Sequence, residues 1–207
     1  MTTIVGIQGD GFCVVCVDSR ISDVDDSGVA TQIATLRDST GKVAVNGRYL
    51  LGAAGDLRAI NILHHAFQPP APAVNIKGKK LDQFVTTKFI PALRECFETQ
   101  GYASPQNEQS EHMAEHNSTI IMSINGVIYI IDGDYSWISS SDGVFAVGTG
   151  AQFALGALQC LIPKSPLNIQ TAKKIGIKAL TIAAKFDPYT GPPYQTLSQG
   201  VEKKARA

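Results

Sequence analysis

Charge, cysteine and long apolar runs are all scarce in this chain. Lys plus Arg and Asp plus Glu number 18 each, so charged residues make up 17% of the sequence and the formal net charge is zero. Such a balance supplies no field to draw the chain onto nucleic acid or an anionic membrane, and neither is expected as a partner. No stretch approaches the roughly 20 apolar residues that a membrane-spanning helix needs. The opening Met1-Thr2-Thr3-Ile4-Val5 lacks the basic region and the small-residue cleavage site of a secretory signal, which points to a cytoplasmic protein. Of the four cysteines, Cys13 and Cys16 form a C-x-x-C, a spacing shared with many zinc and redox sites. They lie in Phe12-Cys13-Val14-Val15-Cys16-Val17, which has the composition of a buried strand, where residues three apart point to opposite faces. With no second pair, both are expected to be core residues, and neither a metal nor a cofactor is expected.

Apolar side chains are plentiful: 44% of 207 residues, which excludes a disordered chain. A chain of this length buries roughly 70% of its unfolded surface, enough for a core without staples. Neither a repeat nor a linker interrupts it, so one domain over residues 1–207 is expected.

Residues 3–8 are β-branched and apolar, and Gly9-Asp10-Gly11 turns them into a second strand over 12–18. A polar stretch at 22–27 reads as a loop, and 29–37 as a further strand. Two more hairpins pair 42–45 with 48–53 and 118–124 with 127–132, with Asn46-Gly47 and Asn125-Gly126 favouring type I′ turns; 143–147 is another short strand. Asp56 can cap a helix running to Phe67, and residues 81–99 form a helix kinked or broken near Pro91. Residues 151–161 are helical and nearly all apolar, hence buried, and 172–186 carry Ile175, Ala179, Ile182 and Phe186 at helical spacing. Segments 69–78 and 103–117 read as loops. Tight hairpins make the sheets antiparallel, and a sheet with helices on one side must bury its other face against a second sheet. The expected fold class is α+β, a four-layer αββα sandwich.

Thr2 stands directly behind the initiator Met. Once Met1 is removed, this residue carries a nucleophile and a base together: a hydroxyl needs a base beside it, and an α-amino group titrates near 7.7–8.0. While Met1 remains, the Thr2 nitrogen is an amide without usable basicity. Such a site also needs a cation to stabilise the oxyanion and a carboxylate to orient that cation.

Five stretches taken together resemble the proteasome β-subunit family, including its HslV-type relatives, over nearly the whole chain. They are Thr2-Thr3-Ile4-Val5-Gly6, then Asp18-Ser19-Arg20, then Lys42-Val43 ahead of Leu50-Leu51-Gly52-Ala53-Ala54-Gly55-Asp56, then Gly148-Thr149-Gly150, and Asp187-Pro188-Tyr189-Thr190-Gly191. The resemblance implies a threonine-type endopeptidase of the N-terminal-nucleophile class. Thr2 would be nucleophile and proton acceptor, Lys42 the cation beside it, and Asp18 the carboxylate that orients Lys42. The N–H of Gly55 would line the oxyanion hole, and Thr149, Asp187 and Thr190 would support the Thr2 amine. Thr149 and Thr190 stand where the family usually has serine; each keeps the hydroxyl and adds a methyl. By the same pattern Ile21, Ser22, Ala53 and Leu57 border the first specificity pocket, where small Ala53 favours bulky apolar side chains. The implied partners are a peptide or unfolded protein substrate, other copies of the chain in a homo-oligomeric ring, and an ATP-dependent unfoldase. Thr2 following Met1 directly leans toward the HslV type or a bacterial or viral relative. Two other readings stay open: a non-catalytic structural ring subunit, and an amidohydrolase of the same fold acting on a small amide.

Three features compete with this constellation. Arg37 is a rival cation for Lys42, but arginine does not release a proton. His112-Met113-Ala114-Glu115-His116 matches the H-x-x-E-H of some zinc peptidases, yet it sits in a polar stretch rather than on a helix. His64 and His65 are adjacent on a helix and face different directions.

Overall fold

A computed structural model describes residues 2–25, 27, 30–102 and 116–200. β1 (Thr3–Gly9) and β2 (Phe12–Asp18) lie at the centre of a four-stranded antiparallel sheet completed by β10 (Val144–Gly148) beside β1 and β11 (Tyr194–Gly200) beside β2. The second sheet runs β5 (Val43–Asn46), β6 (Tyr49–Gly55), β7 (Ser118–Ile124), β8 (Val127–Ile131) and β9 (Trp137–Ile138). β3 (Arg20–Val24) and β4 (Ala30–Thr35) form a separate two-stranded arm.

Three apolar clusters show why the layers stack as they do. Ile4, Cys13, Val15 and Val17 meet Val43, Leu50, Ile121 and Ile128 between the sheets. The opposite faces of the same two strands, through Val5, Ile7, Val14 and Cys16, pack on α4 (Ala151–Leu161) and α5 (Ile169–Ala183). The outer face of the second sheet, with Leu51, Ile120, Met122 and Tyr129, is covered by α1 (Leu57–His65) and by the α2 (Lys79–Phe84) to α3 (Ile90–Thr99) rod. The result is the αββα order that the hairpins and amphipathic helices imply. β1 and β2 are buried on both faces, so they read as continuous apolar runs. Cys13 and Cys16 project into different clusters and are free thiols; burial pushes the Cys16 thiol up to about 12.

Several elements depart from the sequence reading. Ser22 and Asp23 are strand residues in β3 and not loop, because the β3–β4 arm holds its pairing through backbone bonds with little apolar patterning. β9 and β11 were not expected; β11 is an edge strand of Gln, Ser and Thr in which only Tyr194 and Leu197 reach a core. Pro91 does not break its helix, since the π-helical turn Val85–Phe89 just before it absorbs the missing N–H. α5 begins a turn earlier than its apolar spacing suggests, where Asn168 Oδ1 accepts from Thr171 N at 2.8 Å. Phe186 therefore lies beyond the helix and is 65% exposed, and the buried stripe is Ala172, Gly176, Ala179, Leu180 and Ala183. α4 is not wholly buried: Ala154 and Leu158 face the sheet, whereas Leu155 is 38% exposed. In the second hairpin Asn46 pairs with Tyr49, so Gly47 and Arg48 form its centre and only Gly47 has positive φ; Asn125 and Gly126 both have it, as a type I′ turn requires. No helix among the described residues is long and apolar enough to cross a membrane.

Of the H-x-x-E-H pattern, His112, Met113, Ala114 and Glu115 lie outside the described residues, and most of the 103–117 loop lies there with them. His116 is described and is buried among Phe97, Tyr102 and Tyr135. Burial pulls its pKa from 6.5 down to about 4, against weaker upward pulls from the Ser118 backbone and Asp134. The unfolded chain then binds the extra proton between pH 6.5 and 4, so this residue costs stability as pH falls through that window and not above it. His116→Phe keeps an aromatic ring in the cluster and removes the titration. Its melting temperature is expected to exceed the parent's by a margin that grows from pH 7 to pH 4, at most about 1.4 kcal/mol per pH unit; a margin constant with pH would contradict this.

Candidate active site

The N-terminal end of β1 is where the two sheets are tied together. Thr3 pairs with Gly148 of β10, and the carbonyl of buried Thr2 accepts from Thr149 N at 2.9 Å, which seats Thr2 at the sheet's rim. Asp18 ends β2 beside it and is fully buried. Its Oδ1 accepts from Thr3 N and from Lys42 Nζ, both at 2.9 Å. Lys42, 2% exposed, comes directly before β5, so the ion pair joins one sheet to the other. Burial pushes the Asp18 carboxyl up, opposed by the Lys42 charge, and burial pulls the Lys42 ammonium down, opposed by Asp18. Arg37, the rival cation, is exposed on the far side of the short helical turn Asp38–Thr40. The length between Asp18 and Lys42 is taken up by the β3–β4 arm.

A second cluster comes from the ends of α4 and α5. Asp187 follows α5, its N–H donating to Ala183 O at 2.8 Å, and its Oδ2 accepts from Thr190 Oγ1 at 2.5 Å and Thr149 Oγ1 at 2.8 Å. Thr190 Oγ1 also lies 2.5 Å from Thr3 Oγ1, which accepts from Gly150 N at 3.0 Å. A carboxylate only accepts, so Thr190 spends its proton on Asp187 and the Thr3 hydroxyl must donate to Thr190. Gly150, Thr3, Thr190 and Asp187 thus form one directed chain ending on the carboxylate that Thr149 also reaches. Sequence reasoning missed Thr3; the repeated Thr2-Thr3 was its only signal.

Gly55 closes β6 opposite Ser118 with φ 123, and a Cβ there would stand 2.3 Å from Asn117 O, so only glycine fits. Two pockets meet at Thr2 and Gly55. One is lined by Ile21, Lys42, Ala53, Asp56, Leu57 and Ile60, the other by Ser22, Ala54, Thr119, Gly148 and Thr149. Ile21, Ala53 and Leu57 therefore share a pocket, and Ser22 lies in the other. Ile60 was missed; it stands one helical turn beyond Leu57, which is the signal that finds it. Among the described residues no group of three or more His, Cys, Asp or Glu side chains could hold a metal.

No protein-family model matches the chain. The ATP-dependent protease subunit HslV of a Nitratiruptor species is 26% identical over 200 residues, 95% of this chain and 96% of that protein. Among solved structures, Thiobacillus denitrificans BPH in complex with epoxomicin superposes with a TM-score of 0.67 at 16% identity, over 98% of this chain and all of the other. The eukaryotic HslV of Trypanosoma brucei superposes with a TM-score of 0.62 at 19% identity, over 97% of this chain and all of the other. An end-to-end relative, the shared αββα fold and a threonine at the strand terminus beside a buried Lys–Asp pair make the chain similar to HslV and the proteasome-like N-terminal-nucleophile hydrolases.

Proposed function

We propose that the chain is a threonine-type endopeptidase subunit of a self-compartmentalising ring, with Thr2 as nucleophile after removal of Met1. One observation carries the reading. Thr2 lies where both pockets and the buried Asp18–Lys42 pair converge, so that a hydroxyl, a cation and a recess for substrate coincide. The freed Thr2 amine accepts the hydroxyl proton as Oγ1 attacks the scissile carbonyl, and the Lys42 ammonium stabilises the alkoxide that develops. Gly55 N–H donates to the carbonyl oxygen as it becomes an oxyanion. The amine proton passes to the leaving nitrogen, an ester forms on Thr2, and water, deprotonated by the same amine, releases the acid. Thr149, Asp187, Thr190 and Thr3 hold the strand end and keep the amine aimed. Bulky apolar side chains suit the pocket of Ile21, Ala53, Leu57 and Ile60.

The HslV relative, an ATP-dependent protease subunit by name, supports the further reading that the chain is enclosed in a homo-oligomeric ring fed with unfolded protein by an ATP-driven unfoldase. The test is intact mass of the purified chain before and after a peptide epoxyketone, a reagent that closes a ring on a free N-terminal amine and hydroxyl. A chain without Met1 that gains one probe mass at Thr2 is the expected result. A chain that retains Met1 throughout, or that takes up the probe elsewhere, overturns the mechanism.

A further inference from the structure

The peptide next to Gly55 is anchored by side chains that lie outside the expected catalytic set. Ser118, the first residue of β7, is buried, and its Oγ accepts from Asp56 N at 3.1 Å. The Tyr102 hydroxyl lies 2.8 Å from the same Oγ, and the Tyr102 ring packs edge-on against Phe97 with centroids 5.0 Å apart. On the other side of Gly55, Ala54 is held in the ladder opposite Thr119. Gly55 is thus pinned at both flanking peptides, and its φ of 123 is the conformation that joins them. Without a Cβ, glycine has little intrinsic preference for this conformation, so its direction must be imposed from outside.

We infer that Ser118, oriented by Tyr102, is a positioning residue for the oxyanion donor. By holding Asp56 N, it fixes the Gly55 N–H in the direction a developing oxyanion needs. This rests on the peptidase reading above. Oxyanion stabilisation depends on donors preset before the charge appears, whereas ground-state binding draws on the pockets, so loss of the anchor is to be read in kcat and not in KM. Neither side chain lines the two pockets that meet at Thr2.

The experiment compares Ser118→Ala and Tyr102→Phe with the parent chain on a fluorogenic peptide and on a peptide boronic acid, whose boron takes the Thr2 oxygen as a fourth substituent. Ser118→Ala is expected to lower kcat about tenfold, the scale of a modest misalignment, with KM unchanged and boronate affinity weakened by a similar factor. Tyr102→Phe keeps the ring and is expected to lower kcat several-fold in the same pattern. Melting curves accompany both, and Tyr102→Phe carries the test if Ser118→Ala does not fold. An unchanged kcat, or a rise in KM with boronate affinity intact, overturns the positioning role while the parent's turnover leaves the peptidase reading standing. A parent chain with neither turnover nor boronate binding overturns both.

Discussion

Thr2→Ala is expected to abolish peptide hydrolysis, a fall of at least about 10⁴-fold in kcat, while leaving the fold untouched. The hydrogen bond that seats Thr2 reaches its backbone carbonyl from Thr149 N, so an alanine keeps it. The melting temperature should move by no more than the equivalent of about 1 kcal/mol. The adjacent threonine gives the contrast. Thr3→Val has nearly the same shape but removes the hydroxyl between Gly150 N and Thr190 Oγ1, leaving buried polar groups unpaired at a cost of about 1–3 kcal/mol. Thr2→Ala should thus lose activity at constant stability, and Thr3→Val should lose stability first. Peptide turnover and thermal melting of the two variants side by side check the assignment. Residual hydrolysis by Thr2→Ala would exclude Thr2 as nucleophile.

The site was more legible in the sequence than parts of the fold around it, for a physical reason. Residues such as Asp18, Lys42 and Asp187 stand at the ends of regular elements, where short motifs mark both the turn and the chemistry, so order along the chain translated into proximity. The β1–β2 and β7–β8 hairpins were legible because apolar runs on both sides of a Gly-containing turn leave few alternatives. β11 and β3 escaped because their pairing rests on backbone bonds that any polar residue can make. α4 misled through composition alone: an apolar helix reads as buried, but its packing on β1, β10 and α5 uses only one side. Thr3 and Ser118 escaped for another reason. Each acts through a hydroxyl whose partner lies far away in sequence, at Thr190 and Tyr102, and no local pattern encodes such a meeting.

Breaking the Asp18–Lys42 pair is expected to cost both stability and activity, and a double substitution separates the two. Lys42→Met leaves a fully buried carboxylate without its cation, and Asp18→Asn strips a buried ammonium of the carboxylate it is hydrogen-bonded to. Each is expected to destabilise the chain by about 3–5 kcal/mol, because an uncompensated charge stays out of water. Asn at position 18 still offers an oxygen to Thr3 N, so Asp18→Asn with Lys42→Met removes both charges without orphaning the backbone donor. Most of the lost stability should return in that chain, since neutral replacements of a buried pair escape its desolvation penalty. Peptide hydrolysis should not return, because the alkoxide on Thr2 would form with no cation beside it. The parent's pH profile carries the same signature. The ammonium is the working form, and burial pulls Lys42 below the ordinary lysine value of 10.5, so activity should fall at an alkaline pH lower than an exposed lysine would set. Recovery of hydrolysis together with stability in the double variant would make the pair a structural tie between the sheets, and the electrostatic role of Lys42 would have to be given up.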